Sequence, residues 1–307
     1  MSIIEQAAER LEQLRKAGIE VPVITPGSAQ PEGAAAAGAP GAAAPVDAQQ
    51  AAPSGGAPKK QSRRVALDLE RLQAAGLVTP ASSNSKIAGE MRVIKRPLLA
   101  NAQGKGAPKV ERGNLIMVTS SLASEGKTFV AVNLALSIAM EVDSTVLLVD
   151  GDVVAPGVMH TLGLSESKGL IDLLTTPGLE VGDVMFKTNV ERLSILPAGT
   201  AHDRASELLA GDGMARLIRD LAARYPERII LFDSPPLLAT TESRSLAAHM
   251  GQIVMVVEAD RTPRGTVEDA LSKIEACPVV MTVLNKAVES ELGSYYSYRS
   301  GEGRKRA

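Results

Sequence analysis

Residues 114–139, NLIMVTSSLASEGKTFVAVNLALSIA, contain the pattern that decides the fold of this chain. An apolar run rich in β-branched residues passes through small hydroxyl residues to Glu125-Gly126-Lys127-Thr128 and continues as apolar residues at helical spacing. This order predicts a strand, a phosphate-binding loop and a helix, because backbone amides at a helix N-terminus form a cradle for anions. We expect ATP or GTP here, with its phosphates against Ser124, Glu125, Gly126, Lys127, Thr128 and Phe129.

Two side chains of this loop have defined tasks in such a site. Lys127 is a point charge for the β- and γ-phosphates, and the Thr128 hydroxyl is a ligand for Mg²⁺. Matched to the pattern G-x-x-x-x-G-K-[ST], the loop has Ser121 in place of the first glycine. A chance Gly-Lys-Thr on a surface loop is the alternative, but the strand before the loop and the helix after it favour the phosphate site.

The composition allows one large domain with appended segments. The chain has 307 residues, of which 45% are hydrophobic, enough to bury a full core. The single cysteine, Cys277, excludes an intramolecular disulfide framework. The sequence contains neither an apolar run of about 18 residues nor the apolar region of a signal peptide. These features predict a soluble protein of the cytoplasm.

Charge is unevenly distributed along the chain, although the net charge is only −2. Residues 59–112, the basic band, hold 12 basic and 4 acidic residues, whereas the flanking segments are net negative. The basic band could face an anionic membrane surface or an acidic partner, and a solvated face is the alternative. We expect no nucleic acid as a partner.

Five segments follow from these patterns. Residues 1–25 are predicted to be a docking segment with an amphipathic helix at 2–17, since a capping box at Ser2 and Glu5 begins an apolar stripe that Gly18 ends. Fraying or packing on its own domain is the alternative. Residues 26–62, rich in Ala, Pro and Gly, should be a disordered linker. The others are a basic helical segment at 63–112, a phosphate-loop domain at 113–290 and a flexible tail at 291–307.

From residue 114 onward, apolar strand-like runs alternate with helical patterns. Strands are expected at 114–119, 145–149, 193–196, 228–233, 252–257 and 278–284. Helices are expected near 127–140, 168–175, 206–223, 243–249 and 264–275, with a further helix at about 85–99 that bends at Pro97. Strands that are apolar throughout and separated by helices predict a mostly parallel sheet covered on both faces.

Carboxylates follow two of these strands. The run 146–149 ends in Asp150-Gly151-Asp152, and the run 229–232 ends in Asp233. Because ligands bind at the carboxyl ends of strands in open α/β sheets, these three carboxylates should converge on the phosphate loop. Phosphoryl transfer needs such groups to hold Mg²⁺ and to orient or deprotonate the attacking hydroxyl. The alternative is that each aspartate only caps the turn after its strand.

The segments SSLASEGKT, VLLVDGDV and IILFDSPP resemble, in order and spacing, the Walker A, Walker A′ and Walker B motifs of the bacterial tyrosine autokinases, or BY-kinases. The resemblance spans roughly residues 84–307. The N-terminal SIIEQAAERLEQLRKAGIEV and the segment RVIKRPLL at 92–99 look more narrowly like the autokinases encoded beside exosortase and exopolysaccharide loci. The resemblance implies a P-loop NTPase of the ParA/MinD-like α/β class, preceded by helical N-terminal segments.

The resemblance also implies roles for the site residues. ATP and Mg²⁺ are the implied cofactors, the catalytic residues are Lys127, Asp150, Asp152 and Asp233, and Mg²⁺ lies near Thr128, Asp150 and Asp233. Asp150 or Asp152 is the better candidate for the base that accepts the tyrosine proton, and Asp233 for holding Mg²⁺ through water. The sequence does not decide between Asp150 and Asp152.

Three of the four tyrosines, Tyr295, Tyr296 and Tyr298, lie in the tail GSYYSYRSGEGRKRA, which lacks the periodicity to bury them. In the family such tyrosines are the substrate: they enter the nucleotide site of a neighbouring subunit and are phosphorylated in trans. Each phosphate adds nearly two negative charges, so a ring of subunits would loosen as the cluster fills. A tail that only packs its rings on the domain is the alternative.

The family further implies partners and a location. An inner-membrane polysaccharide co-polymerase, or chain-length protein, activates such kinases, so the chain would be cytoplasmic and peripheral at the inner membrane. The implied function is ATP-dependent tyrosine autophosphorylation that regulates exopolysaccharide biosynthesis and export. A homo-oligomeric ring in the unphosphorylated state and a cognate tyrosine phosphatase are also implied.

Two departures from the family pattern bear on assembly and accessory contacts. Val154 stands where the motif D-x-D-x-R has arginine. The frame of E-x-x-R-x-x-R on the helix before the domain reads Gly89, Arg92 and Lys95, with Glu90 one position out of register. Val154, together with Ser121 in the phosphate loop, motivates one alternative function, a regulatory subunit that binds nucleotide but turns over poorly.

A partitioning or positioning ATPase of the ParA/MinD type is the other alternative. Those proteins carry a second lysine five residues before the phosphate-binding lysine, and here that position is Leu122. Together with the tyrosine tail and the Asp-Ser-Pro-Pro segment, this difference favours the kinase.

Overall fold

The structure is a computed structural model that describes residues 63–106 and 108–288. The predicted docking segment at 1–25, the linker at 26–62 and the tail at 291–307, with its three tyrosines, lie outside the described residues. Within the described residues, no helix combines the length and the apolar character needed to cross a membrane.

An eight-stranded sheet forms the centre of the described part of the chain. Its strands are β1 (Arg63–Val65), β2 (Leu115–Ser120), β3 (Thr145–Asp150), β4 (Phe186–Thr188), β5 (Leu193–Leu196), β6 (Arg228–Asp233), β7 (Gln252–Glu258) and β8 (Val279–Asn285). Their order across the sheet is β1-β4-β5-β3-β6-β2-β7-β8. All neighbouring pairs are parallel except β4 with β5, which confirms the predicted mostly parallel sheet.

Helices cover both faces of this sheet. They are α1 (Leu69–Ala74), α2 (Lys86–Gln103), α3 (Lys127–Ala139), α4 (Val158–Leu162), α5 (Leu170–Thr175), α6 (Val181–Val184), α7 (Ala205–Ala210), α8 (Asp212–Arg224), α9 (Glu242–Ala247) and α10 (Arg264–Leu271), with a 3₁₀ turn at Pro80–Ser82. Successive residues of a strand point to opposite faces. In β2, Ile116 belongs to one buried apolar cluster and Met117 to another, so each face has its own core.

The six predicted strands are all present, and the structure adds two that the sequence did not predict. β1 and β4 pair with each other and are three residues long, too short for an alternating pattern to be recognised. The predicted helix at 206–223 is two helices, α7 and α8, because Gly211 between them takes an extended conformation. The short helices α4 and α6 also lacked a recognisable period.

Helix α2 is longer than predicted, since it continues through Pro97 to Gln103. Proline removes one backbone hydrogen bond from a helix, but packing can hold the helix together. The helix ends at Gly104, which has a left-handed φ of 69°. Its buried face includes Leu98 and belongs to the same apolar cluster as α3, so the segment before the phosphate loop joins the core of the domain.

Two buried amide side chains fasten this segment to the domain. Asn133 of α3 accepts a hydrogen bond from the Val78 amide at 2.7 Å. Gln252 of β7 donates to the carbonyl oxygens of Leu98 at 3.0 Å and Gly113 at 2.6 Å. Because an unpaired buried polar group is costly, these bonds fix the position of the segment as well as its attachment.

One residue of the basic band is not available to a partner. Lys95 is 3% exposed, and its ammonium lies 2.6 Å from both the Ser137 carbonyl oxygen and the Glu141 carboxylate. Arg92 and Arg96, on the same helix, are exposed. The surface charge of α2 is therefore smaller than the residue count suggests.

Replacing Leu98 with alanine should lower the free energy of unfolding by about 2–5 kcal/mol, because truncating a fully buried leucine leaves a cavity in the core. Val93→Ala is the matched control, since Val93 lies on the same helix and is 73% exposed. The control should change the free energy by less than about 0.5 kcal/mol. Chemical denaturation of the full-length proteins measures both values, and equal losses would contradict the packing of α2 on the domain.

Candidate active site

The loop between β2 and α3 has the backbone shape that phosphate binding requires. Gly126, just before α3, has φ 94°, and Ser124 has φ 68°, both in the left-handed region. Such residues turn consecutive amides toward one side of a loop, which forms a concave site for anions. Ser121, at the position of the first glycine of the pattern, is fully buried, so this position accepts a small side chain beneath the loop.

Lys127, the first residue of α3, forms an ion pair with Asp152, with Nζ and Oδ2 2.7 Å apart. Burial lowers the pKa of Lys127, but the carboxylates of Asp233, Asp152 and Asp150 raise it more, so the pKa lies above its ordinary value. Lys127 is therefore positively charged at neutral pH, as a phosphate ligand must be.

Thr128 donates its hydroxyl to Asp233, with Oγ1 and Oδ2 2.6 Å apart. Asp233 is the last residue of β6 and is fully buried, and its Oδ1 has no hydrogen-bond partner among the described residues. Burial raises the pKa of Asp233 to about 6, although Lys127 and the Thr128 hydroxyl oppose the shift. A hydroxyl and an unengaged carboxylate oxygen thus lie side by side at the start of α3.

Asp150, the last residue of β3, is also fully buried. Its Oδ2 accepts hydrogen bonds from the amides of Val158 at 3.0 Å and Gly157 at 3.2 Å, whereas its Oδ1 has no partner among the described residues. Burial raises the pKa of Asp150 to about 7, and the nearby charge of Asp233 adds to the shift. A carboxylate that titrates near neutral pH is suited to accept a proton from a hydroxyl.

The strand register explains why these groups meet. β3 and β6 are parallel neighbours in which Asp150 pairs with Asp233, and β2, which leads into the loop, lies on the other side of β6. The unengaged oxygen of Asp233 and the Thr128 hydroxyl beside this carboxylate fit Mg²⁺, which prefers oxygen ligands, whereas the predicted contact of Asp150 with Mg²⁺ stays a prediction. Among the residues that the structure describes, no three His, Cys, Asp or Glu side chains are placed to hold a metal by themselves. Mg²⁺ needs only one or two carboxylates when phosphates and waters complete its shell.

A cavity of about 410 Å³ opens beside Asp150. Its lining is mixed: it includes the apolar residues Val153, Val154, Pro156, Met159, Leu164 and Pro197 and the polar residues His160, Ser165, Glu166 and Ser167. Val154, at the position of the arginine of the family motif, is 63% exposed. The cavity therefore places the Asp150 carboxyl group, which can accept a proton, beside several apolar side chains.

The other predicted phosphate-loop residues differ in which of their groups can face a phosphate. The Phe129 ring packs against the core, which leaves only its backbone to face a phosphate. The Glu125 side chain is buried, and it accepts a hydrogen bond from the Leu122 amide at 2.6 Å. Ser124 is exposed. The predicted acceptors Tyr295, Tyr296 and Tyr298 lie outside the described residues, and the roles of all these residues stay predictions.

Four residues that were not predicted from the sequence contact the loop from the ends of β7 and β8. They are Glu258, Thr262, Asn285 and Lys286. The polar pair Asn285-Lys286 directly follows the predicted strand at 278–284, and this position could have indicated its contact with the loop. The carboxyl ends of parallel strands share one edge of the sheet, so this pair could have been placed near the loop.

A mostly parallel sheet with a phosphate loop after β2, and with carboxylates at the ends of two adjacent strands, defines an α/β P-loop domain. No protein-family model matches the chain. The tyrosine-protein kinase wzc of Salmonella typhi is 31% identical over 193 residues, which are 61% of this chain and 26% of that protein. The succinoglycan biosynthesis transport protein ExoP of Rhizobium meliloti is 31% identical over 198 residues, which are 61% of this chain and 24% of ExoP.

The matched part of the chain thus spans about a quarter of the length of these relatives. Among solved structures, the VpsO kinase domain has a TM-score of 0.55 and 26% sequence identity, and the match covers 67% of this chain and 99% of that domain. These comparisons confirm the predicted resemblance to bacterial tyrosine-protein kinases and the predicted P-loop fold.

Asp150→Asn should stabilise the protein at pH 8 in buffer without nucleotide or Mg²⁺, because it removes a buried charge. The raised pKa means that the folded state binds the proton more tightly than the unfolded state, so the wild type loses stability as the pH rises from 3.8 to about 7. The gain should be on the order of 3 kcal/mol at pH 8 and should shrink markedly at pH 5. Urea denaturation of both proteins at the two pH values measures it.

Asp172→Asn is a control of opposite sign. Burial raises the pKa of Asp172, but hydrogen bonds from the Gly169 amide and from the amide and hydroxyl of Thr200 outweigh burial, so the pKa lies below its ordinary value. The Asp172 carboxylate therefore stabilises the fold above its unfolded pKa and loses this effect as the pH falls. Asp172→Asn should lower stability at pH 8, and the same sign for both variants would contradict these electrostatics.

Proposed function

We propose that this chain is an ATP-dependent protein-tyrosine autokinase that phosphorylates tail tyrosines of a neighbouring copy. The observation that carries the proposal is the shared edge of the sheet, where Lys127, Thr128 and Asp233 lie beside Asp150 and the cavity that it lines. Lys127 and Thr128 fit a nucleotide with Mg²⁺, and the cavity fits the ring of an acceptor whose hydroxyl must lose a proton.

In this proposal the loop amides and Lys127 bind the β- and γ-phosphates. Thr128 and Asp233 hold Mg²⁺, which neutralises phosphate charge when it is bound. Lys127 would exchange its partner Asp152 for phosphate oxygens. Its positive charge thus pairs with a carboxylate before the nucleotide binds and with phosphate afterwards.

The hydrogen bonds of the two candidate bases support Asp150. In Asp152, Oδ2 faces Lys127, and Oδ1 accepts a hydrogen bond from the Ala155 amide at 3.1 Å, so both oxygens are engaged. Asp150 has one unengaged oxygen. The tyrosine proton passes to Asp150, the phenolic oxygen bonds to the γ-phosphorus, and the bond from that phosphorus to the bridging oxygen breaks to release ADP. Lys127 faces the charge that develops on the phosphates.

The wider setting is also proposed. The similarity to ExoP and the resemblance to exopolysaccharide-locus autokinases support a role in exopolysaccharide biosynthesis and export. The chain would act at the inner membrane through a chain-length protein, with residues 1–25 and the basic band helping to dock it. A ring of unphosphorylated subunits, and a tyrosine phosphatase that restores it, would complete the cycle.

Phosphorylation in trans can be tested with two full-length variants, each inactive for a different reason. The Lys127→Met variant keeps the tail but lacks the phosphate-binding charge, and the Tyr295→Phe/Tyr296→Phe/Tyr298→Phe variant keeps the site but lacks the acceptors. Lys127→Met alone should give less than about 1% of the wild-type phosphotyrosine with Mg-ATP, because a charge that faces the transition state is lost. The triple variant alone should stay unlabelled in the tail because its acceptors are absent. A mixture should label only the Lys127→Met chain, which a size tag identifies on an anti-phosphotyrosine blot.

Three outcomes decide between the candidate functions. Wild-type protein that binds ATP at micromolar concentration but stays unlabelled favours the regulatory subunit. ATP hydrolysis without phosphotyrosine favours a ParA/MinD-type ATPase, although Leu122 replaces the second lysine of that class. Phosphotyrosine on Lys127→Met that is incubated with Mg-ATP in the absence of the other variant contradicts the assignment of the site.

Deleting residues 1–60 should weaken recruitment to inner-membrane fractions that contain the chain-length protein, because the docking helix and its linker are lost. The affinity for Mg-ATP should stay within about twofold, since the deletion spares the described site. Co-sedimentation and calorimetry measure the two properties. Unchanged recruitment would contradict the docking role.

A further inference from the structure

The end of β8 contacts the outer side of the phosphate loop. Asn285, the last residue of β8, donates its Nδ2 to the carbonyl oxygen of Glu125 at 2.9 Å. Lys286, the next residue, donates its ammonium to the carbonyl oxygen of Ser124 at 2.7 Å. Two consecutive loop carbonyls thus receive side-chain donors from two consecutive residues.

Lys286 is itself held in place. Its Nζ lies 3.2 Å from Oε2 of Glu258 at the end of β7, and Arg261 lies 3.4 Å from Oε1 of the same carboxylate. The Lys286 backbone has a φ of 57°, which is uncommon for a residue with a side chain. A strained backbone at a residue whose side chain contacts a ligand loop indicates that the surrounding structure fixes that position.

The buried Glu125 side chain fastens the same part of the loop. Its carboxylate accepts hydrogen bonds from the Leu122 amide at 2.6 Å, from the Glu258 amide at 3.4 Å and from the Thr262 hydroxyl. Glu125 is only 2% exposed, so these three donors satisfy a charge that would otherwise be costly to bury. The loop is therefore tied to the segment after β7 as well as to β8.

These contacts set the direction of the loop amides. In a trans peptide the carbonyl and the amide of the next residue point in opposite directions. Because the carbonyls of Ser124 and Glu125 are held on the outer side, the amides of Glu125 and Gly126 point to the inner side. Among the described residues, neither amide donates a hydrogen bond. A Cβ at Gly126 would overlap Nδ2 of Asn285, so a larger residue there would displace the Asn285 side chain from this contact.

We propose that Asn285 and Lys286 are positioning residues that hold the phosphate loop in its anion-binding shape. They act from outside the site through the Ser124 and Glu125 carbonyls. The ligand class that they serve is a polyphosphate, and the proposal rests on the proposed function only for the choice of ATP as the physiological one.

The test measures the affinity of full-length protein for Mg-ATP and for Mg-pyrophosphate by calorimetry. Lys286→Met should weaken both about tenfold, as expected for a lost hydrogen bond from a charged donor, and Lys286→Arg should restore most of the affinity. Asn285→Asp is nearly isosteric but places a carboxylate against a carbonyl oxygen, so it should weaken both at least as much. Lys273→Met is the matched control, an exposed lysine before the opposite end of β8, and should bind like wild type.

A second readout separates positioning from general stability. Without nucleotide, the urea midpoint of Lys286→Met should match that of Lys273→Met. Affinities within twofold of wild type for both Lys286→Met and Asn285→Asp would overturn the proposal, and so would a loss that Lys286→Arg fails to restore. If wild type binds Mg-ATP in this Lys286-dependent way but forms no phosphotyrosine, the autokinase proposal fails and the positioning role stands.

Discussion

The electrostatic balance at the carboxyl edge of the sheet is the constraint on which the site depends. Asp150 and Asp233 end adjacent strands and have no exposed surface, and Lys127 is the cation that faces them. Burial raises the pKa of Asp150 to about 7 and that of Asp233 to about 6, so holding both as carboxylates at neutral pH costs free energy. The apolar packing of the sheet offsets this cost. It also fixes the register between β3 and β6, because a slip by one residue would move every side chain of a strand to the other face, so the two carboxylates stay side by side.

The same balance explains why the site suits a bound cation. A divalent ion beside Asp233 would stabilise its charged form, so the free energy spent on burying this carboxylate becomes available for binding. Thr128 is already directed at Asp233 by its hydrogen bond, and Gly126 leaves the loop backbone open. Little rearrangement is needed apart from the exchange of the Lys127 ion pair.

The sequence predicted the elements whose signal is local. The apolar run of β2, the loop and α3 form one continuous pattern, and Asp150 and Asp233 follow apolar runs that end at one edge of a parallel sheet. It could not predict contacts that depend on strand order. Asn285 contacts Glu125 across 160 positions of the chain, and Lys95 is counted as a surface charge until the structure buries it against α3 and Glu141. The three-residue strands β1 and β4 carry no period at all, and Gly211 divides a helix whose apolar period continues through it.

The position of Val154 in the structure changes the interpretation of this residue. As a departure from the family motif, it suggests a weakened enzyme. In the structure it lines the same cavity as Asp150, with most of its side chain exposed. An arginine there would place a positive charge near Asp150 and lower its pKa, which would make it a weaker proton acceptor, whereas valine adds no charge and is one of the apolar residues of the lining. The physical effect of the substitution on proton transfer is thus favourable, and any cost would fall on contacts that an arginine makes elsewhere, with phosphate or with a neighbouring subunit.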